Sequence, residues 1–253
     1  MKLNRLLLVI ATLSLFVILW GIVSRAEIVN PGLFPAPEQA TSALIEMMHN
    51  GELAADTAAS VARLFLGFIF GSVLGIIVGL LTGENRFFEG SAGQLMHFLR
   101  FIPPLALVPL AIIWLGIGEI SKVGLILWAV FFPVWLSTFI GVRNVKDKHV
   151  WAARSLGANN FKVLKEVIIP SCVPFIITGA RIGLGIGFSV LIAAEMAGSF
   201  SGLGFRIAVS HLLFRVDKMV VDIIILGLIG IIADRIFVWL TKIFIPWHKG
   251  EAV

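Results

Sequence analysis

The sequence predicts an all-α integral membrane protein with six transmembrane helices. Of its 253 residues, 58% are hydrophobic and only 14% are charged, and the mean hydropathy is +1.00. Apolar stretches of about 20 residues, the length that crosses a bilayer, recur along the chain between short polar segments. This composition excludes an ordinary soluble domain.

The first predicted span covers residues 6–23, which follow Lys2 and Arg5. Its length favours a retained N-terminal anchor helix. A cleaved signal peptide is the alternative, because Ser24-Arg25-Ala26 resembles a cleavage site, although the apolar part of a signal peptide is normally shorter. An acidic segment follows at residues 24–59, with a short amphipathic helix predicted at 38–50.

The second predicted span, residues 60–82, has a glycine at every fourth position. The glycines that define this ridge are Gly67, Gly71, Gly75 and Gly79, and Gly83 continues it. A four-residue interval places them on one helix face, where another helix can approach closely. We interpret the ridge as a helix-packing surface.

Prolines interrupt the next two predicted spans, residues 95–115 and 123–142. Pro103, Pro104 and Pro109 lie in the third span and Pro133 in the fourth. Each proline removes a helix hydrogen bond and frees a carbonyl that neighbouring helices or a cavity must satisfy.

The predicted spans end with residues 171–196 and 219–245, and the fifth repeats the ridge with Gly179, Gly183 and Gly187. The whole chain, 1–253, is therefore predicted to be one transmembrane domain. Of its 20 lysines and arginines, twelve lie in segments assigned to the inner side, five in outer segments and three within spans. This excess predicts that both termini are cytoplasmic.

Residues 143–170 form the one long polar interruption of the second half. They carry six lysines and arginines against Asp147 and Glu166. Asp147 is expected to cap a short helix that Gly157 ends in the left-handed conformation. A second amphipathic stretch follows, and Pro170 is expected to stop it. A basic loop that only sets topology is the alternative.

The spacing Trp151-Ala152-Ala153-x3-Gly157-x9-Val167-x-Ile169-Pro170 resembles the cytoplasmic signature of ABC importer permeases, Glu-Ala-Ala-x3-Gly-x9-Ile-x-Leu-Pro. Trp151 departs from the family's glutamate. Residues 101–118 resemble the branch of that family that serves nitrate, sulfonate, taurine and related solutes. The resemblance covers about residues 57–245, which we take as the core.

The resemblance implies a type I permease fold, with a coupling helix in segment 147–170 that docks on an ATPase subunit. The residues it assigns to coupling are Trp151, Ala152, Ala153, Ser155, Leu156, Gly157, Ala158 and Pro170. The implied partners are a second permease copy, two ATPase subunits that hold ATP and Mg, and an extracytoplasmic solute-binding protein. The complex is expected in the plasma membrane of a bacterium or archaeon.

The function implied by the resemblance is import of a small anion, such as sulfonate, taurine, nitrate or bicarbonate, by alternating access. Import of a pyrimidine precursor of thiamine is an alternative within the family. A self-contained secondary transporter or channel is an alternative from another class, but it would typically show a second, repeat-related half. A membrane scaffold without transport does not explain residues 151–170.

No catalytic or metal-binding motif is present in the sequence. It contains neither a Gly-x4-Gly-Lys-Ser/Thr loop nor His-Glu-x2-His, and its one cysteine is Cys172. We therefore expect a non-enzyme subunit that binds no cofactor of its own. The net charge of +5 does not indicate nucleic-acid binding, because the basic residues lie between apolar runs.

Ionisable residues inside the spans are the remaining signal, because charge there is costly unless it is paired or hydrated. Arg181 lies near the middle of the fifth span, and Glu195 lies about 21 Å further along the same helix. Two interpretations stay open for them: interhelical pairing, with Asp234 or Glu195 as the acid for Arg181, or a lining of the solute path. Arg63 is expected to reach the outer surface, and Asp222 to meet Lys218.

Overall fold

A computed structural model describes residues 2–26, 30 and 32–244, and all regular structure in this part is helical. The helices are α1 (Lys2–Arg25), α2 (Pro37–His49), α3 (Glu52–Glu84), α4 (Arg86–Phe88), α5 (Gln94–Leu99), α6 (Val108–Leu115), α7 (Glu119–Arg143), α8 (Asp147–Ser155), α9 (Asn160–Val163), α10 (Ile169–Gly198), α11 (Leu203–Leu212) and α12 (Val216–Phe244). Glu89–Gly93 and Leu164–Ile168 form π-helical turns, and Pro104–Leu107 forms a 3₁₀ turn. The predicted end of the sixth span at Ile245 and the following Pro246–Lys249 lie outside the described residues.

Four described helical stretches are long and apolar enough to cross a membrane. They are α3, α7, the continuous stretch Asn160–Gly198 and α12. A bent pair, Glu89–Leu99 with Pro104–Leu115, makes a fifth candidate. The predicted first span, residues 6–23, lies within α1, a helix of 24 residues. The count of six spans therefore remains a prediction.

The third span is broken at its prolines. Its two halves meet at an angle of 81°, so they do not form one straight crossing helix. Pro103 has an extended backbone, with φ −63° and ψ 126°, and Pro104 begins the 3₁₀ turn. A residue that precedes proline avoids the helical region, which explains why the chain turns at this pair.

Helix α7 lies against the glycine ridge of α3. A Cβ added at Gly71 would lie 2.8 Å from the carbonyl oxygen of Leu127 and 2.9 Å from Cβ of Val130. Gly75 meets α7 in the same way one turn further on, with the carbonyl oxygen of Phe131 at 2.8 Å. Because these neighbours are largely backbone atoms, they have little freedom to move aside for a side chain.

A second glycine ridge, on α10, packs against α7. A Cβ at Gly179 would lie 2.8 Å from the carbonyl oxygen of Pro133, and one at Gly183 would lie 3.2 Å from Cγ1 of Val130. Val130 is fully buried and contacts a glycine of each ridge, Gly71 on α3 and Gly183 on α10. Helix α7 therefore lies between α3 and α10, and the backbone of each comes close to the backbone of α7.

The fifth span begins earlier than the sequence predicts. Pro170 does not stop the preceding helix, because α9, the π turn Leu164–Ile168 and α10 form one helical stretch of 39 residues, Asn160–Gly198. Pro170 lies in the first turn of α10, and the N–H of Ile169 bonds to the carbonyl of Leu164 five residues earlier. Proline has no backbone N–H to donate, and the wider π turn before it lets the helix continue without that hydrogen bond.

The ridge contacts predict a sharp intolerance of bulk. We expect Gly71→Ala to lower the thermal stability of the purified permease, with a cost of about 1–3 kcal/mol from overpacking. Gly227→Ala is the matched control, because no atom lies within 4 Å of a Cβ added there. Equal melting temperatures for the two variants would contradict the close contact.

Candidate functional site

The polar segment after α7 folds as the short helix α8, a tight turn and the start of the long helical stretch Asn160–Gly198. Gly157, at φ 82°, adopts the left-handed conformation that the sequence predicts. Its N–H bonds to the carbonyl of Arg154 at 2.9 Å and that of Ala158 to Ala153 at 3.0 Å, which is the Schellman arrangement. Lys146, not Asp147, occupies the N-cap position of α8, and no side chain caps that helix. Asp147 lies in the first turn of α8, where its carboxylate interacts favourably with the helix dipole.

One face of this segment packs on the permease itself. Ala153 and Ala158 are half-buried and contact a core cluster that includes Val163, Ile168 and Cys172. The small size of these two alanines therefore serves an internal contact. Pro170 is also half-buried, within the helix.

The other face exposes large apolar side chains. Trp151 is 66% exposed, Leu156 89% and Phe161 69%. Exposed basic residues accompany them: Lys148, Arg154, Lys162 and Lys165. We call this set of seven residues the coupling surface. Of the other residues assigned to coupling, Ala152, Ser155 and Gly157 are exposed as well.

A buried ion-pair network joins α3, α7, α10 and the loop before α11. Arg63 is 4% exposed and donates through Nη1 to Oε1 of Glu195 and to the carbonyl of Ser201, both at 2.7 Å. Its Nε and Nη2 donate to the carboxylate of Glu119 at 2.6 and 2.7 Å. The expectation that Arg63 reaches the outer surface is therefore wrong. Three neighbouring elements hold its side chain inside the protein.

Glu195 is fully buried in this subunit and takes part in an interhelical pair, one of the two interpretations that the sequence leaves open. Its carboxylate accepts hydrogen bonds from Ser60 at 2.8 Å and from the N–H of Gly204 at 2.9 Å, in addition to Arg63. A side chain at Gly202, which has φ 110°, or at Gly204 would collide with Glu195. These two glycines let the loop approach the carboxylate closely and seal it.

A second charged cluster lies nearby, around Arg206 of α11. Arg206 pairs with Asp56 and Glu52 of α3, and Asp56 also accepts the N–H of Gly202 at 2.7 Å. Asp222 of α12 is fully buried, and neither of its carboxylate oxygens has a hydrogen-bond partner within the described structure.

The predicted contact between Asp222 and Lys218 is wrong. Lys218 instead pairs with Glu46 of α2 at 2.8 Å. The hydrogen bond from Lys218, followed by that from Arg215, lowers the pKa of Glu46. The prediction failed because Lys218 reaches to a neighbouring helix, whereas sequence spacing considers only α12.

Arg181 pairs with Asp234 across α10 and α12, which is one of the pairings the sequence analysis left open. Its Nε and Nη2 donate to Oδ1 and Oδ2 of Asp234 at 2.7 and 2.9 Å. Their side chains are 42% and 35% exposed, in contrast to the sealed Arg63–Glu195 pair. The two residues line a cleft of about 350 Å³ whose other walls are Leu184, Gly185, Phe188, Leu226 and Gly230.

The described residues contain no group of three or more histidine, cysteine, aspartate or glutamate side chains placed to hold a metal ion. Arginine–carboxylate pairs join several of the described helices to one another.

The Arg63 network yields a stability prediction. We expect Arg63→Gln to destabilise the permease by about 3–5 kcal/mol, because it leaves the buried Glu195 charged and unpaired. Adding Glu195→Gln should restore most of the loss, since Glu119 is 63% exposed and can be hydrated. The measurement is thermal unfolding of the purified permease.

The control for this experiment is Arg25→Gln, which breaks an exposed pair with Glu38. Its effect should be below about 1 kcal/mol. No recovery in the Arg63→Gln, Glu195→Gln double variant would show that pairing with Glu195 is not the source of the stability.

Comparisons with known proteins agree with this architecture. Residues 71–244 match the family described as the inner membrane component of binding-protein-dependent transport systems. A putative ABC transporter permease of Methanocaldococcus jannaschii is 36% identical over 97% of this chain and 94% of its own length. The taurine transport system permease TauC of Escherichia coli is 34% identical over 98% and 92%. A putative aliphatic sulfonates transport permease, SsuC of Bacillus subtilis, is 32% identical over 94% and 86%.

Two solved structures share the fold. A chain of the inward-facing MetNI methionine ABC transporter aligns with a TM-score of 0.54 at 19% identity, over 71% of this chain and 91% of its own. A chain of an amino acid ABC transporter crystallised with histidines aligns with a TM-score of 0.61 at 18% identity, over 79% and 96%. The family match covers more than half of a chain whose relatives align over nearly their full length, so this protein belongs to the binding-protein-dependent permeases, the non-catalytic membrane subunits of ABC importers.

Proposed function

We propose that this permease imports a small sulfonate, or a related small anion, into the cytoplasm by alternating access. The observation that carries the proposal is near-full-length similarity to the taurine permease TauC and the aliphatic sulfonates permease SsuC. A bicarbonate permease, CmpB of Synechococcus elongatus, is 32% identical over 95% of this chain and supports the wider class of small anions. Two permease copies work with two ATPase subunits, which hold ATP and Mg, and with a solute-binding protein outside.

The solute class is tested by transport. Reconstituted with its ATPases and solute-binding protein in liposomes, the permease should show ATP-dependent uptake of a labelled sulfonate. Bicarbonate and nitrate serve as comparison solutes. Failure to accumulate any of the three would contradict the proposed function.

The coupling surface supports docking to the ATPase. Trp151, Leu156 and Phe161 are large apolar groups held in a segment that is otherwise polar, and exposed apolar groups of this kind are typical of protein interfaces. The contact differs from the one the family signature implies, because a tryptophan replaces the glutamate and Ala153 faces inward. We propose that Trp151 and Leu156 are the anchors of this interface.

We expect Trp151→Ala with Leu156→Ser to weaken ATPase binding by about 2 kcal/mol or more, roughly thirtyfold. The stability of the permease itself should change by no more than about 0.5 kcal/mol per site, because both side chains are exposed. Co-purification of the ATPase and the melting temperature of the permease measure the two effects.

Phe200→Ala is the control for this double variant, because Phe200 is 82% exposed but lies beyond the C-terminal end of α10, far along the chain from α8. It should leave ATPase binding unchanged. Normal ATPase binding by the double variant would exclude these two residues as anchors.

The proposed orientation places both termini and the coupling surface in the cytoplasm, and α2 outside. In a Cys172→Ala background, a cysteine at Lys148 should react with an impermeant reagent only from the cytoplasmic side. A cysteine at Met48, which is 63% exposed, should react only from outside. The opposite labelling would reverse the topology.

A further inference from the structure

We propose that the cleft between α10 and α12 holds the solute in transit, and that its chemistry selects a small zwitterion. The acidic oxygen group of the solute would face Arg181 and its ammonium group would face Asp234. This inference rests on the proposed function and narrows its solute class from small anions to amino-bearing acids.

The depth of the pair is the first support. Arg181 lies about 18 Å from the start of α10 at Ile169 and about 26 Å from its end at Gly198. Asp234 lies about 15 Å from the end of α12 at Phe244. Both residues are thus well inside the segments that are long and apolar enough to span a membrane.

The exposure of the pair is the second support. The side chains of Arg181 and Asp234 remain 42% and 35% exposed on the isolated subunit. A charged group at the centre of a membrane helix costs about 3 kcal/mol even on the scale that gives the lowest values, so such groups face water, protein or each other. Because more than a third of each charged side chain remains uncovered by its partner, this side of α10 and α12 faces a hydrated path or a second subunit and not lipid.

The glycines of the cleft are the third support. A Cβ added at Gly185 or Gly230 meets no atom within 4 Å, whereas one at Gly71 or Gly179 collides with α7. The two cleft glycines therefore contact no helix among the described residues of this subunit, and they leave open space beside the ion pair. The resulting volume of about 350 Å³ lies within the range of small-molecule sites, and Leu184 and Phe188 supply apolar walls.

The charge balance of the cleft decides the class of ligand. Arg181 already holds Asp234 through two hydrogen bonds. A simple anion that bound the free donors of Arg181 would lie beside the carboxylate of Asp234, which repels it. A simple cation that bound Asp234 would be repelled by Arg181 in the same way. A zwitterion placed between them gives each residue an opposite charge, and the planar guanidinium suits an acidic oxygen group.

The first test is direct binding to the permease–ATPase complex in lipid nanodiscs, without the solute-binding protein, which would impose its own selectivity. Taurine should bind at least tenfold more tightly than ethanesulfonate, which lacks the amino group, and than ethylamine, which lacks the acid. Asp234→Asn should remove the preference for taurine over ethanesulfonate. Equal binding of taurine and ethanesulfonate to the unaltered complex would overturn the assignment of a zwitterion.

The second test separates a solute site from an ion pair that only joins two helices. Gly185→Leu should fill the cleft while it leaves Arg181 and Asp234 in place, and should reduce taurine binding and uptake at least tenfold. Gly227→Leu is the matched control on α12. Open space surrounds Gly227 as well, but this glycine does not line the cleft. Full taurine binding by Gly185→Leu would overturn the site.

The two proposals fail in different ways. Each variant is also assayed for ATPase co-purification, which reports whether the complex still assembles. If the unaltered complex takes up sulfonate and the Gly185→Leu complex takes it up equally well, only the site is rejected. If the unaltered complex takes up none of the small anions, the proposed function itself is rejected.

Discussion

The structure depends on the close approach of α3 and α10 to α7. On α3 the contact requires glycine at successive fourth positions, because atoms of α7 occupy the space that a side chain would need, and on α10 the same holds at Gly179. In a membrane, where lipid tails are as apolar as leucine, such close packing replaces the hydrophobic effect as a source of helix association. The three helices therefore form the framework on which the charged groups are positioned.

The buried ion pair continues the same geometry. Arg63 lies four residues before Gly67, in register with the ridge of α3, and Glu195 lies eight residues after Gly187, in register with the ridge of α10. The two ridges that converge on α7 thus bring the guanidinium and the carboxylate together at one end of the framework. Ser60, Gly202 and Gly204 complete the site by satisfying the remaining oxygens and letting the loop close over it.

The sequence alone predicts the parts of this architecture that depend on local rules. The four-residue glycine interval, the proline break in the third span and the left-handed Gly157 all follow from backbone sterics and helix geometry. Partners across helices were harder to predict, because Arg63 and Glu195 are 132 residues apart and nothing in one sequence states which helices are neighbours. Pro170 was misjudged for a related reason: a π turn keeps the helix continuous where the simple rule predicts an end.

The continuous stretch Asn160–Gly198 has a mechanical consequence. It carries Phe161 of the coupling surface near one end, Arg181 in its middle and the anchored Glu195 near the other end. If the rod pivots at Glu195, the distances from the pivot are about 51 Å to Phe161 and about 21 Å to Arg181. A sideways movement of about 5 Å at Phe161 would then become a movement of about 2 Å at Arg181. A helix of this length thus has the geometry of a lever that reduces a displacement at its Phe161 end to a smaller displacement at the cleft.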